Sequence, residues 1–281
     1  MTRCALDDSY RLTRSEASKR RFDVSRRTRL AFVTNATETR TKGGRGLIWL
    51  LHLIAVLILV ACLVYGGITY ESLPEVVPTH WGPDGSPDSW SPKTFGSVFF
   101  PLLVAAGVIA LLAIVTAAVP KMIIPDNEPS LWELYRREGM IRGTIATLGS
   151  TTILIAVLSG FFAVTGWANP DHVSSWPALL LAALILGIIP LSYASASRWA
   201  HRTALSRGIR PTAAEEEEEK LWIAGILYNN PDDPNILVPK RSGTGIGLTV
   251  NVGSPKGRAV SITFLVVFVI GPLGVGAIAS L

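Results

Sequence analysis

Three side chains of types that bind metals or carry protons stand at intervals of four residues in one proline-rich stretch: His80, Asp84 and Asp88. Histidine and carboxylate groups are ligands of zinc, and the same residue types serve as general acids and bases. A spacing of four would align them on one face of a helix, but the prolines between residues 74 and 92 block a regular helix. The stretch therefore predicts successive turns, so any convergence of the three side chains depends on the loop geometry.

Two tryptophans stand among these side chains, and they favour either burial against one another or a place at the bilayer interface. We predict a rigid cap that binds a ligand, with a metal or catalytic centre as the alternative. The predicted ligand-binding residues are His80, Trp81, Asp84, Asp88 and Trp90. No histidine is recognisably paired with a serine or cysteine nucleophile, so we predict a protein that is not an enzyme and needs no cofactor.

The elements that must position this loop are long apolar blocks. Nearly half of the 281 residues are hydrophobic, 17% are charged, and the apolar residues are gathered rather than spread. Five blocks are long enough to cross about 30 Å of hydrocarbon as helices. They contain no Asp, Glu, Lys or Arg and cover residues 47–68, 95–119, 143–165, 178–197 and 259–281. The composition predicts an all-α, multi-pass membrane protein.

The distribution of basic residues predicts the orientation of these spans. All of the 26 Lys and Arg residues except Lys93 lie in alternate segments: the N-terminal segment, 120–142 and 198–258. Because cytoplasmic loops retain Lys and Arg, we predict five spans with the N-terminus inside and the C-terminus outside. The net charge of +5 then reflects topology, and we do not expect nucleic-acid binding. The proline-rich loop, 69–94, is predicted to lie outside.

The remaining segments are predicted to be cytoplasmic. Residues 1–46 form a basic tail without an apolar period, which predicts disorder. Within 120–142, Ser130 and Glu133 form a capping box that predicts a helix at the membrane surface. Among the spans, only His52 is ionisable, and we interpret it as a helix-packing residue.

Residues 198–258 are predicted to form an acidic linker followed by a small module. The acidic run 215–219 is interpreted as a solvated linker or helix face. Three runs of β-character at 221–228, 236–238 and 248–252 are separated by turn-forming residues, which predicts a three-stranded meander. The predicted residues for binding a cytosolic partner are Tyr228, Asn230, Asp233, Lys240 and Arg241.

Two sequence patterns resemble those of known families. The pattern L-P-x-x-x-P-T-H-W, which begins at Leu73 directly after the first span, resembles the extracytoplasmic signature of SdpI-like bacterial membrane proteins. The pattern W-x-x-G-x-x-Y-x-N-P-x-D-P, which begins at Trp222, resembles a short uncharacterised module that accompanies this signature. The first resemblance implies immunity to a secreted peptide toxin and toxin-responsive signalling, although the C-terminal membrane half of the family's namesake has no counterpart here.

These patterns together predict a non-enzymatic membrane protein of immunity or signal-receptor type. Its outer loop would recognise a peptide toxin or another envelope ligand, and the inner module would meet a cytosolic regulator. The alternative is a transporter or permease accessory subunit, and an envelope enzyme with a metal at His80 is a third hypothesis. The ligand, the oligomeric state and any metal in the outer loop are left open by the sequence.

Overall fold

The computed structural model describes residues 43–82, 84–123, 129–174, 176–241, 247–271 and 274. The predicted basic tail, 1–46, lies outside these residues except for its last four. The turn-forming residues between the last two predicted runs of β-character, 242–245, also lie outside them.

Four long helices make up most of the described chain: α1 (Arg45–Thr69), α2 (Phe95–Met122), α3 (Leu131–Ala168) and α4 (Trp176–Ser206). Each is long and apolar enough to cross a membrane, and each contains one of the first four predicted spans. Large apolar side chains on α1, α2 and α4 stay more than half exposed, among them Leu57, Leu111 and Leu191. Such faces suit a lipid environment, so the helices are consistent with a multi-pass membrane protein.

The fifth predicted span, 259–281, begins within helix α6. The structure describes α6 (Pro255–Leu265), which starts at a Ser254 cap, and then a π-helical segment, Val266–Ile270. Most of the remaining span lies outside the described residues. The described chain therefore contains four candidate membrane-spanning helices rather than five.

Helix α3 is the central element, because it packs against α1, α2 and α4. The surface helix predicted within 120–142 and the third span form one continuous helix of 38 residues. The polar first part of α3 contains one buried carboxylate: Glu138, whose side chain is 3% exposed, accepts hydrogen bonds from Arg45 Nε on α1 at 2.9 Å and from Arg142 Nε at 3.0 Å. The Ser130 hydroxyl caps the helix by accepting from the Glu133 N–H at 3.0 Å.

His52 is buried where three helices meet. Its Nε2 lies 3.2 Å from Thr116 Oγ1 on α2, and its Nδ1 lies 3.3 Å from Thr152 Oγ1 on α3. The interpretation of His52 as a helix-packing residue fits this arrangement, since interhelical hydrogen bonds stabilise apolar bundles.

The proline-rich loop forms a β-hairpin rather than only turns. Strand β1 (Val76–Trp81) pairs antiparallel with β2 (Pro87–Pro92), with irregular register around His80. The prolines exclude a helix, as predicted, but a two-stranded sheet has only edge strands, and these tolerate residues that lack an N–H donor. We call residues 76–92 the hairpin; α1 leads into it through a 3₁₀ turn, Tyr70–Ser72, and α2 follows it.

The segment after α4 contains a short helix, α5 (Ala213–Lys220), so the acidic run lies on a helix. The predicted three-stranded meander is wrong: two separate antiparallel pairs follow, β3 (Trp222–Ile223) with β4 (Leu227–Tyr228) and β5 (Leu237–Pro239) with β6 (Leu248–Val250). The first predicted strand folds back on itself, because Ala224 and Gly225 take left-handed φ values of 51° and 76° and make a tight turn. We call residues 221–254 the module.

Candidate functional site

The hairpin brings together two of the predicted ligand-binding residues. His80 Nδ1 lies 2.6 Å from Asp88 Oδ1 across the two strands, and the two side chains are 68% and 52% exposed. The two residues lie eight positions apart on either side of the turn, so their proximity arises from strand pairing rather than from a helical spacing. This exposed pair offers a hydrogen-bond donor and hydrogen-bond acceptors to the solvent.

Asp84 lies in the turn of the hairpin. Its Oδ1 accepts a hydrogen bond from the Ser86 N–H at 3.1 Å, and this bond lowers the pKa of the Asp84 carboxyl below its ordinary value. The carboxylates of Asp84 and Asp88 both lie beside the backbone of Gly82. Asp84 therefore stays ionised near neutral pH, and it shapes the turn while adding negative charge next to the His80–Asp88 pair.

Trp81 faces inward and fixes the hairpin to the helices. Its indole Nε1 donates to the backbone carbonyl of Pro170 at 3.1 Å, in the connection between α3 and α4. The ring packs so closely on Gly166 that a Cβ atom there would come within 2.7 Å of it. Trp81 is thus a docking residue of the hairpin, which differs from its predicted role in contacting a ligand.

Gly85 makes the second attachment to the same connection. Its carbonyl accepts from the Val173 N–H at 2.9 Å, and its backbone takes a φ of 82°. A side chain at this position would meet the ring of His172 and the Val173 carbonyl at less than 3 Å. Only glycine suits both the left-handed turn and this approach, so the hairpin is held at its tip as well as along β1.

Trp90 completes the hairpin surface from the opposite strand. It lies in register with Pro78 on β1, and 49% of its surface is exposed. The hairpin thus presents His80, Asp88 and Trp90 outward, places Asp84 in the turn and turns Trp81 inward. Among the residues that the structure describes, no three His, Cys, Asp or Glu side chains are grouped closely enough to hold a metal ion.

The predicted partner-binding residues of the module divide into internal and surface groups. Fully buried Asn251 organises the first group: its Oδ1 accepts from the Asn230 N–H at 3.0 Å, and its Nδ2 donates to the carbonyls of Asn230 and Asp233 at 2.9 Å. Asn230 Nδ2 also donates to the Tyr228 hydroxyl at 3.0 Å. Asn251 was not predicted as a site residue, because no local pattern indicates its three side-chain hydrogen bonds to distant backbone groups.

Arg241 is buried, with a side chain only 3% exposed, so it does not offer a free surface to a partner. Its Nε donates to Glu218 at 3.0 Å, and its Nη2 lies 3.7 Å from Glu219. It therefore ties the module to α5. The neighbouring Lys240 is exposed and remains accessible to a partner.

Glu219 links α3, α4 and the module. Its carboxylate accepts from Trp132 Nε1 at 3.2 Å and lies 2.5 Å from His201 Nε2. Burial alone would raise the pKa of the Glu219 carboxyl, but the hydrogen bond to His201 and the positive charges nearby outweigh it and leave the pKa below its ordinary value. The contacts of Glu219 with Trp132 and His201 are therefore strongest when the Glu219 carboxylate is ionised.

The four long helices and the paired strands are consistent with a mostly helical, multi-pass membrane protein that has a hairpin between its first two helices. Residues 57–105 match a family model described as a domain of unknown function (DUF1648), and residues 231–258 match one described as a family of unknown function (DUF5808). The first match contains the whole hairpin, and the second contains Asp233, Lys240 and Arg241. No curated protein and no solved structure matched the chain.

Proposed function

We propose that the chain is a non-enzymatic protein of the bacterial cell membrane, of immunity or signal-receptor type, whose hairpin recognises a peptide or another envelope ligand. One observation carries the proposal: the hairpin is attached through Trp81 and Gly85 to the α3–α4 connection, while His80, Asp88 and Trp90 stay exposed. A surface held by the scaffold but left open to solvent is pre-organised for binding, since less side-chain freedom is lost on contact.

The chemistry of this surface suits a peptide. A half-exposed tryptophan supplies apolar contact area, and the adjacent His80–Asp88 pair supplies a hydrogen-bond donor and acceptors for backbone or polar side chains. The resemblance of the L-P-x-x-x-P-T-H-W pattern to SdpI-like proteins supports a toxin as the ligand class. Asp84 and Asp88 favour a ligand that carries positive charge.

The proposal includes five spans with the N-terminus inside and the hairpin outside. The support is the position of Lys93, the sole Lys or Arg in the segment that contains the hairpin. Its Nζ donates to the Leu73 carbonyl at 3.0 Å and lies 3.2 Å from Glu75, so it stabilises the base of the hairpin. The basic segments then lie inside, and the module faces a cytosolic regulator with Lys240 exposed.

A deletion strain tests the function directly. It is challenged with peptide toxins secreted by neighbouring strains, and survival and transcription are measured after complementation with the wild-type chain, with Trp90→Ala, or with Ser89→Ala as the neighbouring exposed control. We expect the wild type and Ser89→Ala to restore resistance or the transcriptional response and Trp90→Ala to fail. Unchanged survival and unchanged transcription in the deletion strain count against the proposal.

A transporter or permease accessory subunit is the second candidate. Its support is the polar cluster of His52, Thr116 and Thr152 inside the helix bundle, because polar side chains at membrane depth mark transport pathways in other proteins. Copurification with additional membrane subunits, lost in a His52→Leu variant, would favour this role over ligand recognition. The metal-enzyme hypothesis is tested separately by metal analysis of the purified protein and of His80→Ala.

A further inference from the structure

Helix α4 packs one face against α3 and leaves the opposite face exposed. Ala196, Ala200 and Ala204 are buried and follow one another at intervals of four residues, so they mark the packed face. The two helices approach so closely there that a Cβ atom on Gly139 would lie 2.9 Å from the Cβ of Ala200. Because consecutive helical residues are about 100° apart, residues half a turn away from these alanines face out of the bundle.

The outward face of α4 carries a row of exposed residues that changes from apolar to cationic. They lie within about 80° of one another around the helix axis. We call them the α4 stripe, and its members are Leu184, Leu191, Ser195, Arg198, Arg202 and Leu205. The uncharged block, 178–197, ends directly before Arg198. The two leucines at the start of the stripe therefore lie in the candidate membrane span, and the two arginines follow its apolar part.

The two arginines of the stripe differ from other arginines around the same end of α3 and α4. Arg142, Arg207 and Arg241 are each hydrogen-bonded to another side chain of the protein. Arg198 and Arg202 are exposed and make no hydrogen bond or ion pair with any residue within the described ranges. Their positive charges are therefore available to a partner outside the chain.

We propose that the α4 stripe binds an anionic glycerophospholipid of the surrounding membrane, with the phosphate on Arg198 and Arg202 and the acyl chains along Leu184 and Leu191. The two arginines are one helical turn apart, about 6 Å along the axis, so both can donate to oxygens of one headgroup. Guanidinium groups bind phosphate through paired hydrogen bonds, and basic residues next to a span attract anionic lipids.

A lipid fits the stripe better than a soluble anion, because the arginines continue an exposed apolar face. Leu191, one of the most exposed leucines of α4, is 66% exposed and lies on the same side as Arg198. A soluble anion would use the arginines alone, whereas a lipid uses both parts of the stripe. The inference requires that α4 crosses the membrane, and it is independent of what the hairpin binds.

The test measures lipid binding by the full chain in detergent. The chain is purified from mixed micelles that contain phosphatidylglycerol or phosphatidylcholine at varied mole fractions, and the retained lipid is quantified. One double variant removes both charges, Arg198→Gln with Arg202→Gln, and a second keeps them, Arg198→Lys with Arg202→Lys. The matched control removes two positive charges at exposed positions outside the stripe, Arg210→Gln with Lys220→Gln.

We expect the wild type to prefer phosphatidylglycerol, and the glutamine pair to weaken its binding about thirtyfold, since each basic residue near an anionic surface contributes about fivefold. The lysine pair should lose less, because it keeps the charge without the planar guanidinium. The control should bind like the wild type. Inorganic phosphate should displace no more lipid than sodium chloride of equal ionic strength. All variants should keep their helical circular dichroism.

Equal affinity for the two lipids, or equal losses in the glutamine pair and the control, would overturn the proposal. Stronger displacement by phosphate than by chloride would also overturn it and assign the arginines to a soluble anion. Light scattering gives the mass of each variant: a change of mass in the glutamine pair with unchanged lipid binding would assign the stripe to a second copy of the chain instead. None of these results bears on the ligand of the hairpin.

Discussion

The indole N–H of Trp81 donates to the backbone carbonyl of Pro170 at 3.1 Å, which joins the hairpin to the connection between α3 and α4. Because α1 and α2 flank the hairpin and α3 and α4 flank Pro170, this bond and the Gly85–Val173 bond together connect the two helix pairs at one end of the bundle. The orientation of the exposed His80–Asp88 pair therefore depends on an inward-facing tryptophan on the same strand.

Replacing Trp81 with phenylalanine removes this hydrogen bond and keeps an aromatic ring on Gly166. We expect backbone hydrogen exchange in the hairpin to become up to about tenfold faster, since a neutral hydrogen bond contributes roughly 0.5–1.5 kcal/mol. The matched control is Trp90→Phe, whose half-exposed ring should leave exchange unchanged. Equal exchange in the two variants would show that Trp81 does not hold the hairpin.

Close packing of α1 on α3 is tested at two adjacent glycines. A Cβ atom on Gly66 would lie within 2.7 Å of ring atoms of Trp167 and Phe99, whereas one on Gly67 would meet nothing within 4 Å. We expect Gly66→Ala to lower the free energy of unfolding by about 1–3 kcal/mol through overpacking. Gly67→Ala should be neutral or stabilising by up to about 1 kcal/mol, because alanine favours a helix.

Thermal unfolding in a single detergent measures both glycine variants. A loss of stability at Gly67 as large as that at Gly66 would contradict the packing of α1 on α3.

The buried carboxylate of Glu138 joins α1 to α3 through Arg45 and Arg142. Removing it with Glu138→Ala leaves two positive charges near the protein interior, and we expect a loss of about 3–5 kcal/mol in the free energy of unfolding. Glu216→Ala, at an exposed position of α5, is the control and should change stability by less than about 0.5 kcal/mol. Chemical denaturation in mixed micelles gives both values, and similar losses in the two variants would refute the role of Glu138.

The junction at Glu219 predicts a pH dependence. The folded-state pKa of Glu219 is lowered, so its contribution to stability is complete above its ordinary pKa of about 4.5 and is lost as pH falls through the lower folded value. The groups that face this carboxylate are His201 on α4, Trp132 on α3 and Arg241 in the module. We expect hydrogen exchange in α5 to accelerate as pH falls through this window, after correction for the intrinsic exchange rate.

Other carboxylates titrate in the same range, so variants must isolate Glu219. In Glu219→Gln, exchange in α5 should already be fast at pH 7 and change little on acidification. In Glu216→Gln, the wild-type response should persist. An acid response that survives in Glu219→Gln would assign it to another group.

The long helices were predictable because uncharged runs of about twenty residues have few stable alternatives to a membrane-spanning helix. The hairpin was not predicted, because prolines generally disfavour regular structure. Pro78, Pro87 and Pro92 nevertheless lie on edge strands, which tolerate proline. The turn at Ala224 was missed for a related reason: an alanine with positive φ carries no local signal.

The candidate site was predictable in part. His80, Asp88 and Trp90 were identified by their residue types and lie on one exposed hairpin, but the inward role of Trp81 depends on Pro170, 89 residues away. The contacts of Glu219 could not be predicted from the sequence, because Trp132, His201 and Arg241 lie in separate segments of the chain. Contacts between such distant segments depend on how α3 packs against α4. No local sequence pattern indicates that packing.

The central claim is that the hairpin surface binds a ligand outside the membrane, and site-specific photo-crosslinking in living cells tests it most directly. A photoreactive amino acid is placed at Trp90, or at exposed Leu111 on α2 as a membrane-facing control, and crosslinked products are identified by mass spectrometry. We predict that position 90 captures a peptide or envelope component that position 111 does not, and that Asp88→Asn reduces this capture. Identical products at both positions, or capture at position 90 that is unaffected by Asp88→Asn, would contradict the claim.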